Sequence, residues 1–136
     1  DEILQYASQR GVLSILCLES IHGLSYSIKA AVNYLNTLEK PFRMIFMVAD
    51  QPYISMKTID KLMHTTHKLA SCAYKDKVGN PTLFESSYIP ELLLLKQDQG
   101  GRKVLNKHPD EVEYIQVENV RELYDIDYQE DLKQLQ

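Results

Sequence analysis

The best candidate for chemistry in this sequence is an acid that follows an apolar run of strand length. Asp50 comes directly after residues 43–49 (RMIFMVA), a nearly continuous apolar segment. In open α/β sheets, ligands bind at the carboxyl ends of the strands, so this placement predicts a carboxylate that meets a divalent metal and phosphates. The competing interpretation is a turn or a helix cap, which an acid after a strand also provides.

A second acidic pair, Asp125 and Asp127, lies near the end of the sequence. Acids separated by one residue on an extended segment point to the same side. Mg²⁺ takes oxygen ligands, commonly one or two carboxylates together with phosphates and water. Asp127 also has the D-x-x-E spacing of a capping box with Glu130, which explains it without a metal. Asp125 is therefore predicted to share Mg²⁺ with Asp50, and Asp127 stays an alternative.

Two glycine-containing segments are weaker candidates for contacts with a ligand. Gly23-Leu24-Ser25-Tyr26-Ser27 begins a predicted helix, whose N–H groups and hydroxyls suit a phosphate or a base edge. Simple capping by Ser25 explains this segment equally well. Gly100-Gly101-Arg102 combines a close backbone approach with a guanidinium suited to phosphate.

Charge and motif content exclude several classes of protein. Residues 110–136 carry nine acidic and two basic side chains, and the rest of the chain has a small positive excess rather than the dense basic stripe of a nucleic-acid-binding protein. The chain also lacks the nucleophile elbow of hydrolases, the Walker phosphate loop and His-Glu-x-x-His. Without an apolar run of about 18 residues, no membrane span is expected. Two distant cysteines are typical of free thiols in the cytoplasm.

The elements that must position these residues alternate between strand and helix. Apolar patterns predict strands at 12–17, 43–49, 70–74, 82–84 and 112–117, with helices at 1–10, at 24–37, after a Ser55 cap, after Ser87, before His108 and from 127 through Leu132 and Leu135. Gly79-Asn80-Pro81 has the composition of a turn. This order predicts one α/β domain over 1–136 with a mainly parallel sheet. Strands 12–17 and 43–49 are expected to lie parallel in that sheet.

Five segments, taken together, resemble those of the molybdenum cofactor cytidylyltransferases, which are similar to the MobA-like NTP transferases. They are GLSYS at 23–27, VADQP at 48–52, GNPTLF at 79–84, GGR at 100–102 and DIDYQED at 125–131. The resemblance runs from about Val12 to the end of the chain. It implies a Rossmann-like three-layer α/β/α sandwich of the nucleotide-diphospho-sugar transferase type.

The resemblance also implies roles for individual residues. Asp50 matches the family's metal-binding and catalytic aspartate, and Asp125 is similar in position to a second acidic ligand. The remaining matches are nucleotide-binding Gly23, Ser25 and Ser27, and substrate-binding Asn80, Pro81, Gly101 and Arg102.

The implied reaction is Mg²⁺-dependent transfer of CMP from CTP to the terminal phosphate of molybdopterin, with release of pyrophosphate. The alternatives are GTP or another phosphorylated acceptor, a nucleotide-sugar glycosyltransferase using the Asp-x-Asp at 125–127, and a non-catalytic pterin-binding module.

One departure from the family concerns its glycine-rich signature loop, which cradles the triphosphate. This loop is absent from the sequence, so an N-terminally truncated domain lacking its first βα units is expected. We expect such a chain to be inactive alone, because a triphosphate needs several N–H donors and cations. An exposed sheet edge is expected to favour a homodimer.

Overall fold

Four strands form one mixed sheet in the computed structural model, which describes residues 2–131 and 133. The strands are β1 (Arg43–Phe46), β2 (Leu69–Tyr74), β3 (Lys77–Glu85) and β4 (Val112–Gln116), in the spatial order β1-β3-β2-β4. β3 is antiparallel to both β1 and β2, whereas β4 is parallel to β2. Three of the described strands therefore run in one direction and β3 runs against them.

Five α-helices accompany this sheet in the described part of the chain. They are α1 (Glu2–Gln9), α2 (Leu24–Leu35), α3 (Met56–His64), α4 (Ile89–Leu93) and α5 (Arg102–Leu105). Short 3₁₀ turns occupy Leu18–His22, Ser86–Tyr88, Pro109–Glu111 and Val120–Leu123. The predicted cap of α3 is confirmed, because Ser55 Oγ accepts a hydrogen bond from the Thr58 N–H over 3.1 Å.

Alternation of side chains along the strands creates two cores. Phe84 of β3 packs with Val32 of α2, Leu92 of α4 and other residues on one face of the sheet. Its neighbour Leu83 points to the opposite face and packs in the cluster that contains Leu62 of α3. Helices thus cover both faces, and the predicted three-layer α/β/α architecture is confirmed.

The predicted strand at 12–17 is wrong. This segment forms no strand, and Leu13 and Leu16 are 62% and 72% exposed. A strand exists only through hydrogen bonds to a neighbour, and no described strand pairs with this segment. The expected parallel arrangement of 12–17 with 43–49 is wrong for the same reason.

The predicted strand at 43–49 is shorter and less covered than expected. β1 ends at Phe46 and pairs only with antiparallel β3 in the described sheet, so it is an edge strand and not a central parallel one. Met47, just beyond β1, is 52% exposed. An apolar run shows that side chains prefer burial, but neighbouring elements decide whether both faces are covered.

The predicted turn at 79–81 lies inside a strand. The β2–β3 hairpin turns at 75–76, where Lys75 has a φ of 52°, and Asn80 and Pro81 continue β3 through a cis peptide bond. The register of the β2–β3 pair shifts between Ser71 and Cys72, as in a β-bulge. The predicted strand at 82–84 is the end of β3.

The chain end differs from the predicted capping box. A carboxylate oxygen of Asp131 accepts hydrogen bonds from the N–H groups of Asp127 over 3.2 Å and Tyr128 over 3.0 Å. In the described part, residues 128–131 form a turn. Leu132 and Leu135 of the predicted helix lie outside the described residues.

Candidate functional site

The two predicted metal ligands lie on neighbouring segments at the carboxyl edge of the sheet. Asp50 follows β1, and Asp125 belongs to the segment that follows β4. The backbone N–H of Ile126 donates a hydrogen bond to the carbonyl oxygen of Asp50 over 2.8 Å. Both aspartates are exposed. The fold therefore joins acidic segments that are far apart in the sequence.

Gln51 adds a side-chain contact between the same two segments. It is only 7% exposed, and its Nε2 donates a hydrogen bond to Oδ1 of Asp125 over 2.7 Å. Its Oε1 is buried and has no hydrogen-bond donor among the described residues. Asp125 is thus held by Gln51 next to Asp50.

A buried carboxylate anchors the segment that carries Asp125. Glu122 is 5% exposed, and its Oε2 accepts hydrogen bonds from the Ser55 N–H over 3.0 Å and from Thr58 Oγ1 over 2.6 Å. Burial alone would raise the pKa of Glu122, but these hydrogen bonds to the ionised form hold it below its usual value. Lys77 Nζ, donating to the carbonyl oxygen of Leu123 over 3.0 Å, fastens the same segment to β3.

A cavity of about 240 Å³ opens beside this segment. Its lining residues are Tyr53, Lys77, Tyr124, Asp125, Ile126, Asp127 and Asp131. Within residues 2–131 and 133, no group of three or more His, Cys, Asp or Glu side chains could hold a metal ion by itself. Asp50 and Asp125 would therefore leave most coordination positions to phosphate and water oxygens. Mg²⁺ is commonly bound in this way, so the donor set fits it.

The glycine–serine segment at the start of α2 packs against a loop. Gly23 has a φ of 125°, and a Cβ there would lie 2.4 Å from the carbonyl carbon of Gln97. The Ser25 N–H donates to the Gln97 oxygen over 2.9 Å, and the Ser25 side chain is fully buried. Ser27 is exposed. Gly23 and Ser25 hold the helix against the loop, which leaves Ser27 as the accessible hydroxyl of the predicted three.

The predicted substrate-binding residues gather around a second, smaller cavity of about 100 Å³. Asn80 and Arg102 line it, and an Nη2 of Arg102 donates to the carbonyl oxygen of Val78 over 2.9 Å. Pro81 is buried. A Cβ on Gly101 would lie 2.8 Å from Cζ of Phe84, so this position admits only a close backbone approach. Asn80 and Arg102 face the cavity, whereas Pro81 and Gly101 belong to its support.

These parts form one continuous rim. Lys77 of the larger cavity and Asn80 of the smaller one lie three residues apart on β3. Gly100 packs against Leu24, since a Cβ there would lie 3.1 Å from Leu24 Cδ2. The loop that carries Arg102 therefore adjoins the start of α2.

Four residues of this rim were not predicted from the sequence. Gln51 stood beside Asp50 in the quoted motif, and that adjacency was the available signal. Lys77, Tyr53 and Tyr124 are brought to the cavity by the hairpin and by the segment after β4, and no local pattern marks them.

Comparison with known families and structures agrees with this architecture. A family model described as the MobA-like NTP transferase domain matches residues 1–112. No curated protein matches the sequence significantly. No helix in the described part of the chain is long and apolar enough to cross a membrane.

Solved structures show the same fold at low identity. An Rv0371c homologue from Mycobacterium sp. strain JC1 is 24% identical over 83% of this chain and 56% of its own, with a TM-score of 0.64. Rv0371c from Mycobacterium tuberculosis H37Rv is 23% identical over 82% and 58%, with a TM-score of 0.69. Its complex with manganese is 20% identical over 96% and 71%, with a TM-score of 0.68. The chain thus spans little more than half the length of the first two structures.

Proposed function

This chain belongs to the MobA-like NTP transferase domain family, a nucleotidyltransferase family, and we propose that it acts in transfer of CMP from CTP to the terminal phosphate of molybdopterin. The observation that carries the proposal is the hydrogen bond from Ile126 to Asp50, which brings Asp125 beside Asp50 at the carboxyl edge of the sheet. Ligands of open α/β sheets bind at this edge. The pattern of two free cysteines supports a cytoplasmic location.

In the proposed reaction, an oxygen of the acceptor's terminal phosphate attacks the α-phosphorus of CTP. The bond from that phosphorus to the bridging oxygen breaks, and pyrophosphate leaves. Asp50 and Asp125 would hold Mg²⁺, which supplies neutralisation of the negative charge on the phosphate oxygens. The manganese complex of a structural neighbour supports a divalent metal at such a fold. The protein's own part is to hold the two phosphates in line.

The positions of the two substrates follow from the two parts of the rim. Ser27 and the N–H groups at the start of α2 are proposed to contact the nucleotide, since a helix N-terminus favours negative charge. Asn80 and Arg102 are proposed to bind the pterin phosphate, because a guanidinium forms paired hydrogen bonds with phosphate. Lys77 lies between the two regions and suits the charge that the phosphates share.

We also propose a homodimer that forms through the edge of β1. In the described sheet, the far side of β1 has no partner strand, and exposed strand edges tend to pair with other chains. Met47 continues this edge as an exposed apolar side chain.

The test is CMP transfer by the Asp50→Asn variant. Loss of a metal-binding charge worth several kcal/mol predicts a decrease in kcat on the order of 100-fold or more, with the circular dichroism spectrum unchanged. Asp60→Asn is the matched control, since Asp60 is exposed on α3 away from the rim. Unchanged CMP transfer by Asp50→Asn would remove Asp50 from the mechanism. Faster transfer from GTP than from CTP by the wild type would contradict the assigned nucleotide.

A further inference from the structure

One buried amide connects the two acidic segments of the site. Gln51 follows Asp50 in the chain and is 7% exposed, although glutamine is usually a surface residue. Its Nε2 lies 2.7 Å from Oδ1 of Asp125. The residue thus adjoins one proposed metal ligand through the backbone and the other through its side chain.

The orientation of the amide follows from the chemistry of its partner. An ionised carboxylate only accepts hydrogen bonds, so the atom of Gln51 that faces Asp125 must be the donating Nε2. The hydrogen bond fixes Oδ1 and with it the rotation of the whole carboxylate. Ile126 restrains the same segment through its bond to the Asp50 carbonyl oxygen. Between them, these two contacts leave Asp125 little freedom to turn away from Asp50.

The other end of the amide is also informative. Oε1 of Gln51 is buried without a donor among the described residues. Buried acceptors without partners are rare in native proteins, and each one suggests a group that arrives later. A donor carried by the bound ligand, such as a hydroxyl, an amine or a water, would satisfy this oxygen.

We infer that Gln51 is a positioning residue of the metal and nucleotide site: its Nε2 orients Asp125 as a ligand, and its Oε1 accepts a hydrogen bond from the bound ligand. The inference rests on the proposed function, because it assumes that Asp125 binds a divalent cation. Residues that orient metal ligands through hydrogen bonds typically change metal affinity ~10- to 100-fold when they are replaced.

The test measures Mn²⁺ affinity from the electron paramagnetic resonance signal of the free ion, with CTP present. Gln51→Met keeps the length of the side chain and removes both polar atoms. We expect it to weaken Mn²⁺ binding ~10-fold. Gln9→Leu on exposed α1 is the control and should bind Mn²⁺ as the wild type does. Circular dichroism reports folding, and Gln51→Asn, whose shorter amide does not reach Asp125, replaces Gln51→Met if that variant unfolds.

A double variant separates positioning from a merely structural role. If Gln51 acts through Asp125, Gln51→Met combined with Asp125→Asn should bind Mn²⁺ no more weakly than Asp125→Asn alone. A further loss in the double variant would overturn the inference, as would wild-type affinity in Gln51→Met.

The same titrations distinguish failure of the inference from failure of the proposed function. If Asp50→Asn and Asp125→Asn weaken Mn²⁺ binding while Gln51→Met does not, the metal site stands and Gln51 has no part in it. If neither aspartate variant changes the affinity, or if the wild type binds no Mn²⁺, the proposed metal site and the role of Gln51 are both wrong.

Discussion

The Oε2 atom of Glu122 accepts a hydrogen bond from the Oγ1 atom of Thr58 over 2.6 Å, across 64 positions of the chain. The same oxygen accepts the N–H of Ser55, which caps α3. This buried carboxylate therefore fastens the segment after β4 to the start of a helix. Asp125 follows three residues later, so its position beside Asp50 depends on this contact.

Replacement of Glu122 should destabilise the fold. Glu122→Ala removes two hydrogen bonds to a charged group and leaves Thr58 without its acceptor, so the free energy of unfolding should fall by about 2–3 kcal/mol. Urea denaturation measures this change. Glu118→Gln is the matched control, because Glu118 pairs with Lys57 at the surface, where ion pairs contribute little. Equal effects of the two variants would contradict an anchoring role for Glu122.

The same carboxylate should make stability depend on pH. Hydrogen bonds lower the pKa of Glu122 in the folded state below its ordinary value of 4.5. A lowered folded pKa contributes stability that is fully present above pH 4.5 and is lost as the pH falls through the folded pKa. Glu122→Gln, which does not ionise, should lose less stability than the wild type between pH 5 and the acid limit, roughly the range of this titration. Parallel pH curves for the two proteins would show that Glu122 does not contribute.

Gly23 should tolerate no side chain. Its φ of 125° suits only glycine, and a Cβ would lie 2.4 Å from the Gln97 backbone. Gly11 also has a positive φ, of 67°, but a Cβ there would meet nothing within 4 Å. Gly11→Ala should cost about 1 kcal/mol of strain, and Gly23→Ala clearly more, since backbone atoms must move as well. Thermal denaturation of both variants checks the order, which equal midpoints would refute.

Arg102 should contribute to binding of the acceptor and not of the nucleotide. Arg102→Ala removes the guanidinium from the cavity that Asn80 lines, so we expect the KM for the phosphorylated acceptor to rise ~10-fold, as for loss of a charge-assisted hydrogen bond. The KM for CTP should stay constant. Lys103→Ala, on the exposed neighbour, is the control. A selective rise in the KM for CTP would place Arg102 with the nucleotide instead.

Association should depend on the exposed edge of β1. Met47→Lys places a charge where a second chain would pair, and charged edge residues oppose such pairing. Sedimentation velocity should then show a smaller dimer fraction than in the wild type at equal concentration. Met56→Lys is the comparison, because Met56 is 80% exposed on α3, away from the edge. An unchanged dimer fraction in Met47→Lys would exclude β1 as the interface.

Local features of the fold were predictable wherever one stretch of sequence contains the whole cause. α2 was predicted from apolar residues at helical spacing, and Ile28 and Val32 are buried as that spacing requires. Ser55 was predicted as a cap because its hydroxyl bonds to an N–H only three residues away. Asp50 was predicted at the end of a strand because the apolar run before it stops there.

The failures share one physical cause, which is pairing with a distant partner. Residues 12–17 have the composition of a strand, but a strand needs hydrogen bonds from a neighbour, and the described sheet provides none to them. The reversal of β3 also depends on a partner, since the β2–β3 hairpin and not the Gly-Asn-Pro sequence decides where the chain turns.

The sequence by itself determined the layered α/β class, the family resemblance and the identity of the acids, because periodicity and short motifs are local properties. Only the tertiary structure decided which residues meet. Gln51 reaches Asp125 across 74 positions, and Lys77 joins the same cavity from β3. Such contacts depend on strand order and on the docking of the segment after β4. These are set by burial over the whole fold, and no single stretch of sequence encodes them.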